Sequence, residues 1–109
     1  TKVSFANEFY QICEALGGSY DRVRDLALLD SRVGKSHLAV PGNDGQFGFG
    51  GVCFPKDLYA LIETCDANGI ESTILKAVRN KNLEVRKVRE WESMRGRAIS
   101  GRSNFDEKK

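Results

Sequence analysis

From residue 31 to residue 51 the chain shows no sustained apolar periodicity, and Gly34, Pro41, Gly42, Gly45, Gly48, Gly50 and Gly51 punctuate it. Helical patterns stand on both sides, so this stretch reads as one long connection inside a helical chain. A loop of about twenty residues is unusual in a compact domain unless it has something to bind. It ends in Gly48-Phe49-Gly50-Gly51-Val52-Cys53-Phe54-Pro55-Lys56-Asp57. Glycines at 48, 50 and 51 leave the backbone free to take φ > 0 and to lie close against a ligand. Pro55 suits the first turn of a helix, where its missing N–H would be unpaired anyway. Leu58, Leu61, Ile62 and Cys65 then keep helical spacing. Cys53 is therefore expected near the positive end of a helix dipole, three residues before Lys56, and both influences favour thiolate over thiol. The setting suits a nucleophile; a small residue packed in a turn is the plainer alternative.

The remaining periodicities predict helices only. Phe5, Phe9, Ile12 and Leu16 recur at i, i+4, i+7 and i+11, with Ala6 and Cys13 beside them. That wide stripe should end at Gly17-Gly18, a glycine C-cap. Cys13 lies on it and reads as core. Ser19 is a candidate N-cap for a second, shorter helix with Asp21 in its first turn, expected to stop near Asp30. A third helix should run over about 55–67 and close at Asn68-Gly69, with Cys65 on its inner face. Ser72 can cap a fourth, extending to about Ile99 on an imperfect stripe of Ile74, Leu75, Val78, Val85, Val88, Trp91 and Met94. Arg79, Lys81, Arg86, Lys87, Arg89, Arg95 and Arg97 make this helix basic. A solvated face with i,i+4 pairs to Glu84, Glu90 and Glu92 is one reading and a nucleic-acid surface the other. Residues 101–109 read as a polar tail. The fold class expected is all-α: about four helices in residues 1–100 and one long glycine-rich loop.

Length and charge narrow the classes. The 109 residues make one small domain, large enough for a modest core but too short for two domains. Hydrophobic content of 40% and charged content of 29% are ordinary for a soluble globular protein. A net charge of +2 does not argue for nucleic acid, and no apolar run approaches a membrane span. Three cysteines, odd and sparse, point to a reduced cytoplasmic protein rather than a disulfide framework. Starting at Thr1, the chain reads as part of a longer one. Gly48, Gly50 and Gly51 do not form a dinucleotide-binding turn, because the sixth position is Cys53 and no strand precedes it. Cys53, Cys65 and His37 lack any paired ligand spacing, so no metal is expected.

The stretch Gly48–Asp57 resembles the catalytic-cysteine signature of the UDP-glucose/GDP-mannose dehydrogenases, the NAD-dependent nucleotide-sugar 6-dehydrogenases. The resemblance extends through Lys2-Val3-Ser4-Phe5-Ala6-Asn7-Glu8, Asp30-Ser31-Arg32-Val33-Gly34 and Val40-Pro41-Gly42, covering roughly residues 1–90. It implies the central helical domain of a larger α/β dehydrogenase, most similar to the UDP-glucose type, with Rossmann-type domains flanking it. In that family a cysteine thiolate attacks the aldehyde made by the first oxidation of the sugar C6 hydroxyl. The thiohemiacetal gives up a second hydride to NAD, and water cleaves the resulting thioester to the uronic acid.

Transferred position by position, the resemblance implies Cys53 as nucleophile and Asp57 as the base that helps activate water. Cys53 and Lys56 would stand beside NAD, although Lys56 also reads as a solvated helix-start lysine. Arg32 matches an arginine that reaches across the dimer to an anionic nucleotide sugar, which a planar guanidinium suits. Phe47, Phe49, Gly50 and Phe54 would shape the sugar pocket. His37 would line it or serve structure alone. The family's catalytic lysine and asparagine lie upstream of the matched segment, so neither Lys2 nor Asn7 is one of them. A homodimer through the N-terminal helix is expected. The rival reading is a non-catalytic helical dimerisation module.

Overall fold

The computed structural model describes residues 1–93, and among these all regular structure is helical. Helices α1 (Lys2–Ala15), α2 (Tyr20–Ala27), α3 (Cys53–Ala67) and α4 (Thr73–Val85) are followed by a 3-10 turn at Glu90–Ser93. Helix α1 packs on α2 and α4, and α3 also packs on α4. The loop of residues 28–52 connects α2 to α3 and is bonded to α1 and α4 near its end. The expected polar tail, and the part of the fourth helix expected beyond Ser93, lie outside the described residues.

Local chemistry accounts for the helix ends. The N–H of Gly18 donates to Cys13 O at 2.8 Å and that of Gly17 to Glu14 O at 3.2 Å, with Gly17 at φ +76. Helix α3 ends the same way: Ile70 N–H donates to Cys65 O and Gly69 N–H to Asp66 O, with Gly69 at φ +69. Both are Schellman closures, in which glycine takes the left-handed position without a Cβ penalty. Ser19 caps α2 by accepting from Arg22 N–H. Ser72 holds the N-cap position of α4 but makes no side-chain cap bond.

Two expectations are corrected. Helix α2 stops at Ala27 rather than near Asp30, and single turns closed by Leu29, Asp30 and Val33 N–H groups follow it. Helix α4 stops at Val85, because Arg86 turns to an extended backbone and buries its side chain. The guanidinium of Arg89 donates to Leu83 O at 2.6 Å and to Arg86 O at 3.3 Å, satisfying carbonyls that the ended helix leaves open.

The core forms two clusters. Ala6, Cys13, Tyr20 and Val40 meet with Phe9, Tyr10 and Leu38 packed on them. Tyr59 and Trp91 meet with Val52, Leu58 and Leu83. Trp91 is thus core, as its place on the apolar stripe implied, but it reaches the core from the 3-10 turn. Phe5, Ile12 and Leu16 remain exposed on α1.

Candidate functional site

Four polar side chains hold the glycine-rich end of the loop in place. Asn7 of α1 accepts from Gly48 N–H at 3.0 Å. Asn82 of α4 clasps Phe49, accepting from its N–H at 2.8 Å and donating to its carbonyl at 2.9 Å. Glu90 accepts from Gly51 N–H at 3.4 Å. Arg86, with no side-chain surface exposed, pairs with Asp44 at 2.9 Å and Glu90 at 3.1 Å and donates to the carbonyls of Phe47 and Val88. Buried charge is stable only with such partners.

This bracing explains two of the glycines. At Gly50 a Cβ would collide with the Arg86 guanidinium and Glu90 carboxylate, and at Gly48 with the Asn82 amide and Val85. Space for protein side chains, rather than for a ligand alone, thus requires glycine at both positions. Gly51 has φ +78 and open surroundings, so there the backbone conformation is the reason.

The loop delivers Cys53 to the first residue of α3, two residues before the expected start at Pro55. Its thiol is exposed, whereas Cys13 is buried and Cys65 is half-buried rather than fully in the core. No side chain caps α3, so the sulfur stands at a helix end carrying unpaired N–H groups and partial positive charge. Asp57, four residues on, shares the face of Cys53. Lys56 and Asp57 form an exposed ion pair at 3.6 Å, a geometry that stabilises little.

Beside this helix start lies a cavity of about 590 Å³ lined by His37, Gly48, Phe49, Gly50 and Phe54, with Lys35, Asn43 and Asp44 at its polar side. The His37 and Phe54 rings stand 5.4 Å apart, and Phe49 meets Phe54 edge-on at 5.8 Å. His37 has φ 64, a backbone region that non-glycine residues occupy only when their surroundings fix it. The structure therefore brings together four of the expected substrate residues: His37, Phe49, Gly50 and Phe54. Phe47 turns away, packing on Tyr10 at 5.5 Å in a separate groove with Asn7, Gln11 and Val85. Arg32 also stands apart: it is exposed and its guanidinium is held by Asp30 at 2.7 Å.

Electrostatics follow the bracing. Burial, the largest influence on Glu90, works upward. The N–H groups of Glu90 itself and Gly51, with Arg86, outweigh it and hold the carboxyl below its usual range. At Asp44 burial again works upward and is outweighed by Gln46 N–H and Arg86. Sequence reasoning missed Asn82, Arg86 and Glu90 as loop anchors, and Lys35, Asn43 and Asp44 at the cavity. One signal was present: Asn82 continues the stripe of Leu75, Val78 and Val85, and an amide at an inward position must bond to something.

Residues 1–84 match the model of the UDP-glucose/GDP-mannose dehydrogenase family, central domain. The chain belongs to this family. It is 38% identical over 86 residues to UDP-glucose 6-dehydrogenase TuaD of Bacillus subtilis, covering 79% of this chain and 18% of that protein. It is 42% identical over 84 residues to a UDP-glucose 6-dehydrogenase of Rickettsia felis (77% and 18%), and 38% over 88 residues to one of Pseudomonas aeruginosa (81% and 18%). The chain thus spans less than a fifth of the length of these relatives. Among the described residues no helix is long and apolar enough to cross a membrane, and no group of three His, Cys, Asp or Glu side chains could hold a metal.

Proposed function

We propose that this chain supplies the thiol and sugar pocket for the four-electron oxidation of UDP-glucose to UDP-glucuronate, working in the cytoplasm. One observation carries the reading: within a family whose relatives are UDP-glucose 6-dehydrogenases, Cys53 stands exposed at the first residue of α3, next in the chain to Phe54, which lines the cavity that Cys53 itself does not line. Among the described residues all regular structure is helical. NAD, held by a domain outside these residues with Cys53 and Lys56 beside it, would accept the hydride that leaves the substrate carbon.

The chain's own residues perform the covalent part. The Cys53 sulfur bonds to the aldehyde carbon at C6, and the carbonyl oxygen takes up the charge as a thiohemiacetal. Loss of hydride from that carbon leaves a thioester on sulfur. Asp57 takes a proton from the water that attacks the thioester, releasing the carboxylate and the thiolate. His37, Phe49, Gly50 and Phe54 hold the sugar, while Lys56 offers positive charge at the same end of α3. Arg32, exposed and held among the described residues by Asp30, would turn toward a phosphate bound by a second copy. That copy would dock on the face bearing Phe5, Ile12 and Leu16.

The test uses the C6 aldehyde of UDP-glucose with iodoacetamide, read by mass spectrometry at each cysteine. The aldehyde should slow alkylation of Cys53 and leave Cys65 unaffected. Equal rates at Cys53 with and without aldehyde would favour the non-catalytic dimerisation module.

A further inference from the structure

We infer that Arg86 and Glu90 are positioning residues for the Cys53 thiol, acting through the peptides of Gly50 and Gly51; the inference rests on the reading of Cys53 as nucleophile. Both residues lie beyond the 1–84 segment that matches the family model, in the stretch where α4 has already ended. Their geometry is directed at the loop. The Arg86 guanidinium is fully buried and joins three points of the chain: the Asp44 carboxylate on the cavity rim, the Phe47 carbonyl, and the Val88 carbonyl in its own segment. It also holds both oxygens of Glu90 at 3.1 Å, leaving Oε1 aimed at Gly51 N–H, two residues before Cys53. The ion pair lies where any Gly50 side chain would have to go, so loop and pair fit only as a unit.

The consequence is mechanical. Gly48, Gly50 and Gly51 carry no side chains of their own to fix the start of α3, and Val52, though packed on Tyr59 and Trp91, makes no side-chain cap bond there. Without an external tie such a run samples many conformations, because glycine has the most backbone freedom to lose. Glu90, oriented by Arg86, supplies that tie at the last glycine. It keeps the sulfur at the positive end of α3, which favours charge gathering on sulfur as it reacts.

The experiment compares Glu90→Ala and Glu90→Gln with the wild-type chain, reading iodoacetamide alkylation at each cysteine and amide hydrogen exchange at Gly51. Glu90→Ala should lower the Cys53-to-Cys65 rate ratio about fivefold and speed Gly51 exchange, as expected for the loss of one hydrogen bond as long as 3.4 Å. Glu90→Gln keeps an acceptor oxygen and should restore both. Faster Gly51 exchange with an unchanged cysteine ratio overturns the inference, as does failure of Gln to restore it. Should Glu90→Ala expose Cys13, and so unfold the chain, Arg86→Lys decides: a lower ratio with Cys13 still protected supports the tie. An unchanged ratio, or unfolding again, assigns the pair to the fold alone and overturns it. The wild-type ratio of Cys53 to Cys65 bears on the nucleophile reading, whereas the variant-to-wild-type ratio bears on the tie, so the two can fail separately.

Discussion

Arg32 and Arg86 share a side chain and almost nothing else. The Arg32 side chain is 88% exposed and, among the described residues, pairs with its near neighbour Asp30 at the less braced end of the loop. That of Arg86 is 0% exposed and ties the braced end to two carboxylates and two carbonyls. The difference teaches where each half of the loop gets its order. Residues 44–51 are held by side chains from α1, α4 and the segment after α4. Residues 31–39 have fewer ties, chiefly Lys2 to the Gly34 carbonyl and Tyr20 to the Leu38 carbonyl. A loop end braced from behind can present a reactive group in fixed geometry. An end left open is free to meet a partner.

Replacing Arg86 should break the comparison most. Arg86→Met leaves Asp44 and Glu90 without their shared cation, but both carboxylates reach solvent, so the loss should be about 2 kcal/mol, below the usual cost of splitting a fully buried pair. Urea unfolding with an unchanged m-value checks it. Gly50→Ala should follow at about 1–3 kcal/mol, since the added methyl meets the buried pair. Gly51→Ala, in open space at φ +78, should cost only the left-handed backbone penalty of about 1 kcal/mol. Equal effects at the two glycines would remove the packing explanation for Gly50.

The pH dependence sharpens the same contrast. Asp44 and Glu90 are held below their ordinary carboxyl values in the folded chain. Their stabilisation is therefore fully present above the unfolded-state values of about 4 and is lost as pH falls through the lower folded ones. Wild-type stability should decline across that acid range, and the decline should be shallower in Arg86→Met, as urea midpoints at stepped pH will show. Smallest of all, Arg32→Ala should leave the urea midpoint unchanged, because an exposed pair contributes little. A lowered midpoint would mean that the open end of the loop is braced too.

Much of this arrangement was legible in the residues. The apolar stripe of α1, the Gly17-Gly18 and Asn68-Gly69 closures, and the Pro55 start signal place three helix ends within two residues, because each signal acts within one turn of the chain. The long fourth helix was not legible, for Arg86 and Glu90 satisfy an i,i+4 helical pairing on paper. They do pair, but across a break in the helix, where Asp44 from a distant loop draws Arg86 inward. Burial of a charge depends on partners far away in sequence, which local spacing cannot reveal. The same limit separated Phe47 from the cavity: neighbours in a motif need not face the same way once the backbone turns at Gly48. The resemblance singled out Cys53 and Asp57, and the geometry adds how the loop in front of them is fastened.

The central claim is that the fold presents Cys53, alone among its cysteines, as an accessible thiol at a helix start. Iodoacetamide labelling of the native chain, followed at each cysteine by mass spectrometry, tests it most directly. The account predicts that Cys53 labels fastest, Cys65 more slowly, and Cys13 only as the chain unfolds. Labelling of Cys65 or Cys13 as fast as Cys53 under native conditions would contradict it.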